Sequence, residues 1–285
     1  MVRNRKVEGG NSMKVGIIGT GNMGTILLEA LITGGAVSPS DLIVTNRTKS
    51  KADRLKHIYK SITVENSPDE VIKQSDIIFI CVKPLDIISL IKEKAALFSR
   101  EKCLVSITSP IQVTWLEEMV DASCARIIPS ITNRALAGVS LFTFGNKCEN
   151  HWKDKLWEML SKVSVPLEIN ESIIRVSSDI VSCGPAFISF LTRSLIEAAA
   201  SETKIDEDTA TMLAENMLIG LGELLKQKHY TLPALQEKVC VKGGITGEGI
   251  AVLEQEKGEM FEKLFRATHK KFADEAFHIQ KKFNS

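Results

Sequence analysis

No charge of one sign dominates this sequence. Its 36 Lys and Arg stand against 35 Asp and Glu, a formal net charge of +1, so no overall field draws the chain to nucleic acid or to an anionic membrane surface. The six cysteines, at 81, 103, 124, 148, 183 and 240, show no paired metal-ligand spacing. Several sit in apolar runs, as Cys81 does in IIFICV, where a free thiol behaves as a small hydrophobe. That usage points to a reducing, cytoplasmic setting. The histidines at 57, 151, 229, 269 and 278 are scattered, without a helical ligand pair, and no metal site is expected. No apolar run approaches the ~20 residues of a membrane span, and the polar start MVRNRKVEGGNS has no signal-peptide core. Neither a nucleic-acid nor a membrane partner is expected.

What is present is ordinary globular material, 285 residues with 44% hydrophobic and 25% charged. That is enough for one large or two medium domains. The apolar pattern begins only after Met13, so residues 1–12 read as a frayed leader, with Met13 as an alternative start.

Lys14 to Ile18 is a short β-branched run, followed at once by Gly19-Thr20-Gly21-Asn22-Met23-Gly24 and then by TILLEALITGG with helical apolar spacing. Strand, glycine turn and helix in this order form a dinucleotide-binding unit. Gly19 permits the tight turn, Gly21 lets a pyrophosphate approach the backbone, and Gly24 lets helix and strand pack closely. The helix N-terminus then aims N–H groups at phosphate. The next strand, DLIVT at 41–45, ends in Asn46-Arg47-Thr48-Lys49. NAD-selective proteins usually place a carboxylate there for the ribose 2′-hydroxyl. Cations and neutral donors instead favour a 2′-phosphate, hence NADP(H) over NAD(H). The alternative is that Arg47, Lys49 and Lys51 merely open the next helix in solvent.

Strands and helices continue to alternate as far as a last short strand at 165–169, which predicts right-handed crossovers and a mostly parallel sheet. From Asn170 on, only helical patterns remain, and segments such as AFISFLTRSLIEAAA are apolar around much of their circumference. The expected architecture is therefore an α/β Rossmann-type doubly wound sheet over 13–169, then an all-α domain over 170–285. The helical domain would share part of its core with a second subunit.

Five segments together resemble the pyrroline-5-carboxylate reductase family: GIIGTGNMG at 16–24, TNRT at 45–48, CVKP at 81–84, GPAF at 184–187, and GGIT at 243–246 leading into a helix with VLE. The resemblance implies reduction of Δ1-pyrroline-5-carboxylate to proline with NADPH or NADH, in an interlocked homodimer, joined through its C-terminal helices, that often assembles further. It places Cys81, Val82, Lys83 and Pro84 beside the cofactor. It also implies that Gly243, Gly244, Ile245 and Thr246 hold the substrate carboxylate, with the Thr246 hydroxyl on the ring nitrogen. Thr246 and Lys83 are thereby the candidate catalytic residues. The residues allow these roles independently. Val82-Lys83-Pro84 follows a strand at the edge where open α/β sheets bind ligands, and GGIT before a helix can form an anion-accepting nest. A solvated Lys83 opening a helix and a Thr246 that is only an N-cap are the plainer alternatives.

The chain departs from the family at several points. Ile128-Pro129-Ser130-Ile131-Thr132 stands where Met-Pro-Asn-Thr-Pro is usual, Val181-Ser182-Cys183-Gly184 where Ser-Gly-Ser-Gly is usual, Val241-Lys242-Gly243-Gly244 where Ser-Pro-Gly-Gly is usual, and Thr108-Ser109-Pro110 where Ala-Ala-Gly is usual. Such divergence resembles the branch encoded with the late-competence genes of bacilli. It leaves open a slow or altered reductase, or a nucleotide-binding interaction protein of the same fold. Hydroxyacid dehydrogenases also join a dinucleotide domain to a helical one, but their catalytic Lys on the first interdomain helix has no counterpart here, where Arg175 and Arg193 occupy that region.

Overall fold

A computed structural model describes residues 12–284, so most of the expected leader lies outside the described residues. The chain divides into two compact units, one running to Cys183 and resuming at Thr268, the other covering Gly184–Ala267.

The first unit is built on an eight-stranded sheet in the order β3-β2-β1-β4-β5-β6-β7-β8. The strands are β1 (Val15–Ile18), β2 (Leu42–Thr45), β3 (Thr63–Val64), β4 (Ile77–Ile80), β5 (Cys103–Ser106), β6 (Ser123–Ile128), β7 (Val139–Phe144) and β8 (Val165–Glu168). Every pairing is parallel except β6 with β7. Alternate strand residues feed two cores, as a sheet covered on both faces requires. Ile17, Val44, Phe79 and Val105 pack with α1 (Asn22–Thr33), α2 (Lys49–Ile58) and α6 (Asn150–Ser161). Ile18, Ile43, Ile80 and Leu104 pack with α3 (Pro68–Gln74), α4 (Pro84–Lys94) and α5 (Val113–Met119). The strand order reverses between β1 and β4, which opens a crevice at the carboxyl edge there.

Two segments beyond Ile169 pack within the first unit. Residues 170–183 are held against the sheet by side-chain bonds: the wholly buried Arg126 on β6 binds the Glu171 carboxylate at 3.0 and 2.5 Å, and Ser130 donates to the Val181 carbonyl at 2.6 Å. The last helix, α12 (Met260–Asn284), also returns to it, with Ile279 in the second core and Phe283 stacked on Trp115 at 5.5 Å.

The second unit holds α8 (Gly184–Glu202), α9 (Glu207–Lys226), α10 (Leu232–Val239) and α11 (Ile245–Glu256). Between β8 and α8, the short α7 (Ile174–Ser178) gives way to a π-helical turn at Asp179–Cys183. The stretch Glu171–Glu202 is long and apolar enough to cross a membrane by length and composition. The core helix of a protein with no membrane contact meets the same criterion.

Candidate functional site

Four loops meet the carboxyl edge of the parallel strands and surround a cleft of about 750 Å³. Gly19 takes φ +103° and donates its N–H to the Thr45 carbonyl at 2.9 Å. A Cβ at this position would lie 2.6 Å from the Cys81 carbonyl oxygen, so only glycine fits. A Cβ on Gly24 would approach the Gly19 oxygen to 2.0 Å, which explains why the helix can follow the strand so closely. At Gly21 a Cβ would meet nothing within 4 Å. This is open room directly at the N-terminus of α1, where the first N–H groups have no intrahelical acceptor and Gly21 offers no side-chain cap.

The cleft brings together Gly19, Gly21, Asn46, Arg47, Thr48, Lys49, Cys81, Val82 and Lys83 from the expected set. Thr20, Asn22, Met23, Gly24 and Pro84 are not among its lining residues. Thr20 is buried with its hydroxyl unpartnered, Met23 packs against the first core, Gly24 is buried, and Pro84 is the first residue of α4. Asn22 is exposed at the start of α1. Asn46 plays a structural part. Its side-chain oxygen accepts from Thr20 N and its amide donates to the Thr48 carbonyl, both at 3.0 Å, which locks the glycine turn to the loop after β2.

Sequence reasoning left Lys51 as a residue of the next helix and missed Asn66, Asp86 and Glu93; all four stand on the cleft wall. Asn66 follows a strand of only two residues, and its oxygen accepts from Lys49 Nζ at 2.8 Å. The sole clue was the Ser67-Pro68 helix start that fixes where β3 ends. Glu65 also lines the cleft, but its carboxylate accepts from Gln74 at 2.9 Å. No carboxylate stands at 46–49, and Arg47, Lys49 and Lys51 border the cleft there. These residues fit a phosphorylated dinucleotide, with room at Gly21 for pyrophosphate and cations at the far end. Cys81 lines the cleft and packs against the first core, and burial pushes the pKa of its thiol far up, the opposite of what activates a cysteine nucleophile.

In the second unit, Gly243 takes φ +74°, and Gly244 donates to the Val241 carbonyl at 2.8 Å before α11 begins. Gly244, and not Thr246, is the N-cap residue. That finding corrects the plainer alternative for Thr246, which lies in the first turn of α11 with its side chain exposed beside Gly243, Gly244 and Ile245. The left-handed Gly243 turns the chain into the extended Gly244, from which α11 starts. Among the described residues, no three His, Cys, Asp or Glu side chains converge as a metal site would require.

The family model for pyrroline-5-carboxylate reductase dimerisation matches residues 171–275, and that for NADP oxidoreductase, coenzyme F420-dependent, matches residues 14–110. ComE operon protein 4 of Bacillus subtilis is 50% identical over 272 residues, spanning 95% of this chain and 100% of that protein. Pyrroline-5-carboxylate reductase 3 of the same organism is 29% identical, over 91% of this chain and 95% of that protein. Among solved structures, Plasmodium falciparum pyrroline carboxylate reductase with NADP bound shares the fold at a TM-score of 0.80 and 20% identity, covering 95% of this chain and 99% of that one.

Proposed function

The chain belongs to the pyrroline-5-carboxylate reductase family, and from that premise we propose that it is an NADP(H)-dependent reductase of a carboxylated cyclic imine. Pyrroline-5-carboxylate reduced to proline is the leading reaction. The observation that carries this reading is the cleft at the strand reversal, with open space at Gly21, an uncapped helix N-terminus, and Arg47, Lys49 and Lys51 where a ribose-binding acid would otherwise stand. NADP(H) is the preferred coenzyme and NAD(H) the alternative.

When bound, the coenzyme supplies a hydride from the nicotinamide C4. The protein's own contribution is positioning, because a cyclic imine protonated on nitrogen is already electrophilic. The Gly19–Gly24 turn and the start of α1 hold the pyrophosphate, Arg47 and Lys49 meet the 2′-phosphate, and the Cys81–Pro84 loop with Lys83 flanks the nicotinamide. The glycine turn at Gly243 and Gly244 with Ile245, at the start of α11, takes the substrate carboxylate, and the Thr246 hydroxyl bonds the ring nitrogen. The working form is a cytoplasmic homodimer, or a higher assembly of dimers, joined through the second unit.

A coenzyme-binding protein without turnover, in the competence setting of its relative, is the second reading. The observations that favour it are Ser130 and Lys242, standing where the family usually has Asn and Pro. Ser130 is buried and occupied in capping a turn.

Mixing the full chain with NADPH and pyrroline-5-carboxylate, and following the absorbance of the reduced nicotinamide, tests the proposal. Turnover above the no-enzyme blank is expected, with Thr246→Val lowering it about tenfold or more, in the range for a lost group that orients substrate. Saturable NADPH binding without turnover would select the second reading.

A further inference from the structure

The loop after β5 is gripped from behind by two guanidinium groups. Arg126 donates to the carbonyls of Ser109 and Ile111 at 3.0 and 2.9 Å. Arg175, on α7, donates to the Ser109 hydroxyl at 3.2 Å. Its other terminal nitrogen donates to Asp179 at 2.8 Å and to the Cys183 sulfur at 3.6 Å, and the guanidinium lies over the Phe272 ring at 5.6 Å. Asp179 has a fully buried side chain, accepts from the Thr268 hydroxyl at 2.8 Å and has His269 at 3.6 Å. The Ser109 hydroxyl is thus tied through Arg175 and Asp179 to α12. The chain leaves this unit after Cys183 and re-enters it at Thr268, both within the same cluster.

The place of this loop gives the cluster its meaning. β5 pairs with β4 in the register Ile80 with Ser106, so the loop at 107–111 runs beside the Cys81–Lys83 loop, which lines the cleft. In a sheet of this order the adenosine end lies over β2 and the opposite end over β4 and β5. Arg126 already secures the loop's backbone. Arg175 adds a hold on a single side chain, from the α-helical turn just before the π-helical one that begins at its partner Asp179, a geometry that in proteins is often kept at functional positions. Its Nε is buried without a partner. A buried ion pair is weak support for stability, and its best-attested use is to fix one arrangement among several.

We infer that Arg175 and Asp179 are positioning residues that hold the loop at 107–111, through Ser109, as the end wall of the nicotinamide half of the cleft. The hold on the loop rests on geometry alone, and the role at the nicotinamide rests on the function proposed above.

Amide hydrogen exchange on the cofactor-free full chain tests the hold on the loop apart from the role at the nicotinamide. Arg175→Met should speed exchange in the peptide covering 107–111 by about tenfold while the glycine turn at 19–24 is unchanged, the signature of local rather than global opening. Ser109→Ala, which removes one oxygen, should act in the same direction, and the double variant should be no faster than Arg175→Met alone, because both break one link. Unchanged exchange at 107–111, or effects that multiply in the double variant, would overturn the inference.

The role at the nicotinamide is read from NADPH. Arg175→Met should leave its dissociation constant within about threefold while kcat falls by about tenfold or more, as a small misplacement near the reacting atoms predicts. Arg175→Lys, which keeps the charge but cannot fork to both partners, should recover only part of that loss. The emission of bound NADPH at saturation should also shift in Arg175→Met, whether or not the chain turns over. Losses in affinity and kcat of equal size, with no shift in emission, would overturn the role at the nicotinamide. Failure of the unmodified chain to bind NADPH would overturn that role together with the proposed function, leaving the exchange result to decide the hold on the loop.

Discussion

Arg47 is the residue on which coenzyme choice turns. It follows β2 by two positions and lines the cleft, where a single charge decides between a hydroxyl and a phosphate on the ribose. Arg47→Glu removes a phosphate partner and installs the acid that NAD-selective sites use. It should weaken NADPH by at least about tenfold, or ~1.4 kcal/mol, and NADH by much less; titration of both coenzymes against the variant checks this, and equal losses would remove Arg47 from the site. The cations at 47, 49 and 51 were legible in the sequence because they directly follow a strand. The role of Asn46 was not. Its bond to Thr20 N joins residues 26 apart, and no local pattern shows which loop lies across from it.

At the scale of elements, the strand, turn and helix from β1 to α1 assign different roles to two glycines three residues apart. Gly24→Ala drives a methyl into the Gly19 carbonyl and should cost about 1–3 kcal/mol of stability, as overpacking does. Gly21→Ala meets open space and should leave the urea midpoint nearly unchanged while weakening NADPH. Denaturation and coenzyme titration on the two variants separate these outcomes, and equal destabilisation by both would refute the division of roles. The alternation of apolar strands and amphipathic helices made these elements readable, since burial on both faces leaves little freedom in composition. The π-helical turn at Asp179–Cys183 was not readable, because one extra residue in a turn barely disturbs a helical apolar pattern. Nor did the amphipathic pattern of α12 show that its last turns pack on the sheet. A pattern names the buried face but not its partner.

For the whole molecule, the second unit has more apolar surface than it can cover by itself. Its buried cluster holds only Ile196, Ala210 and Ala214, with Ile205 against them. Phe190 and Leu195 on α8 and Leu213 and Ile219 on α9 are more than half exposed. Patches of this kind mark an interface, and the match to a dimerisation family model over 171–275 supports a second copy as the occupant. Light scattering should therefore give at least a dimer, and Phe190→Glu with Ile219→Glu should lower the assembly state. A monomeric unmodified chain would contradict this assignment.

The central claim, that the cleft at the strand reversal takes a nicotinamide dinucleotide, is most directly tested by calorimetric titration of the full chain with NADPH and then NADH. A saturable heat with both, tighter for NADPH, is the predicted result. Neither heat nor saturation with either coenzyme would contradict it.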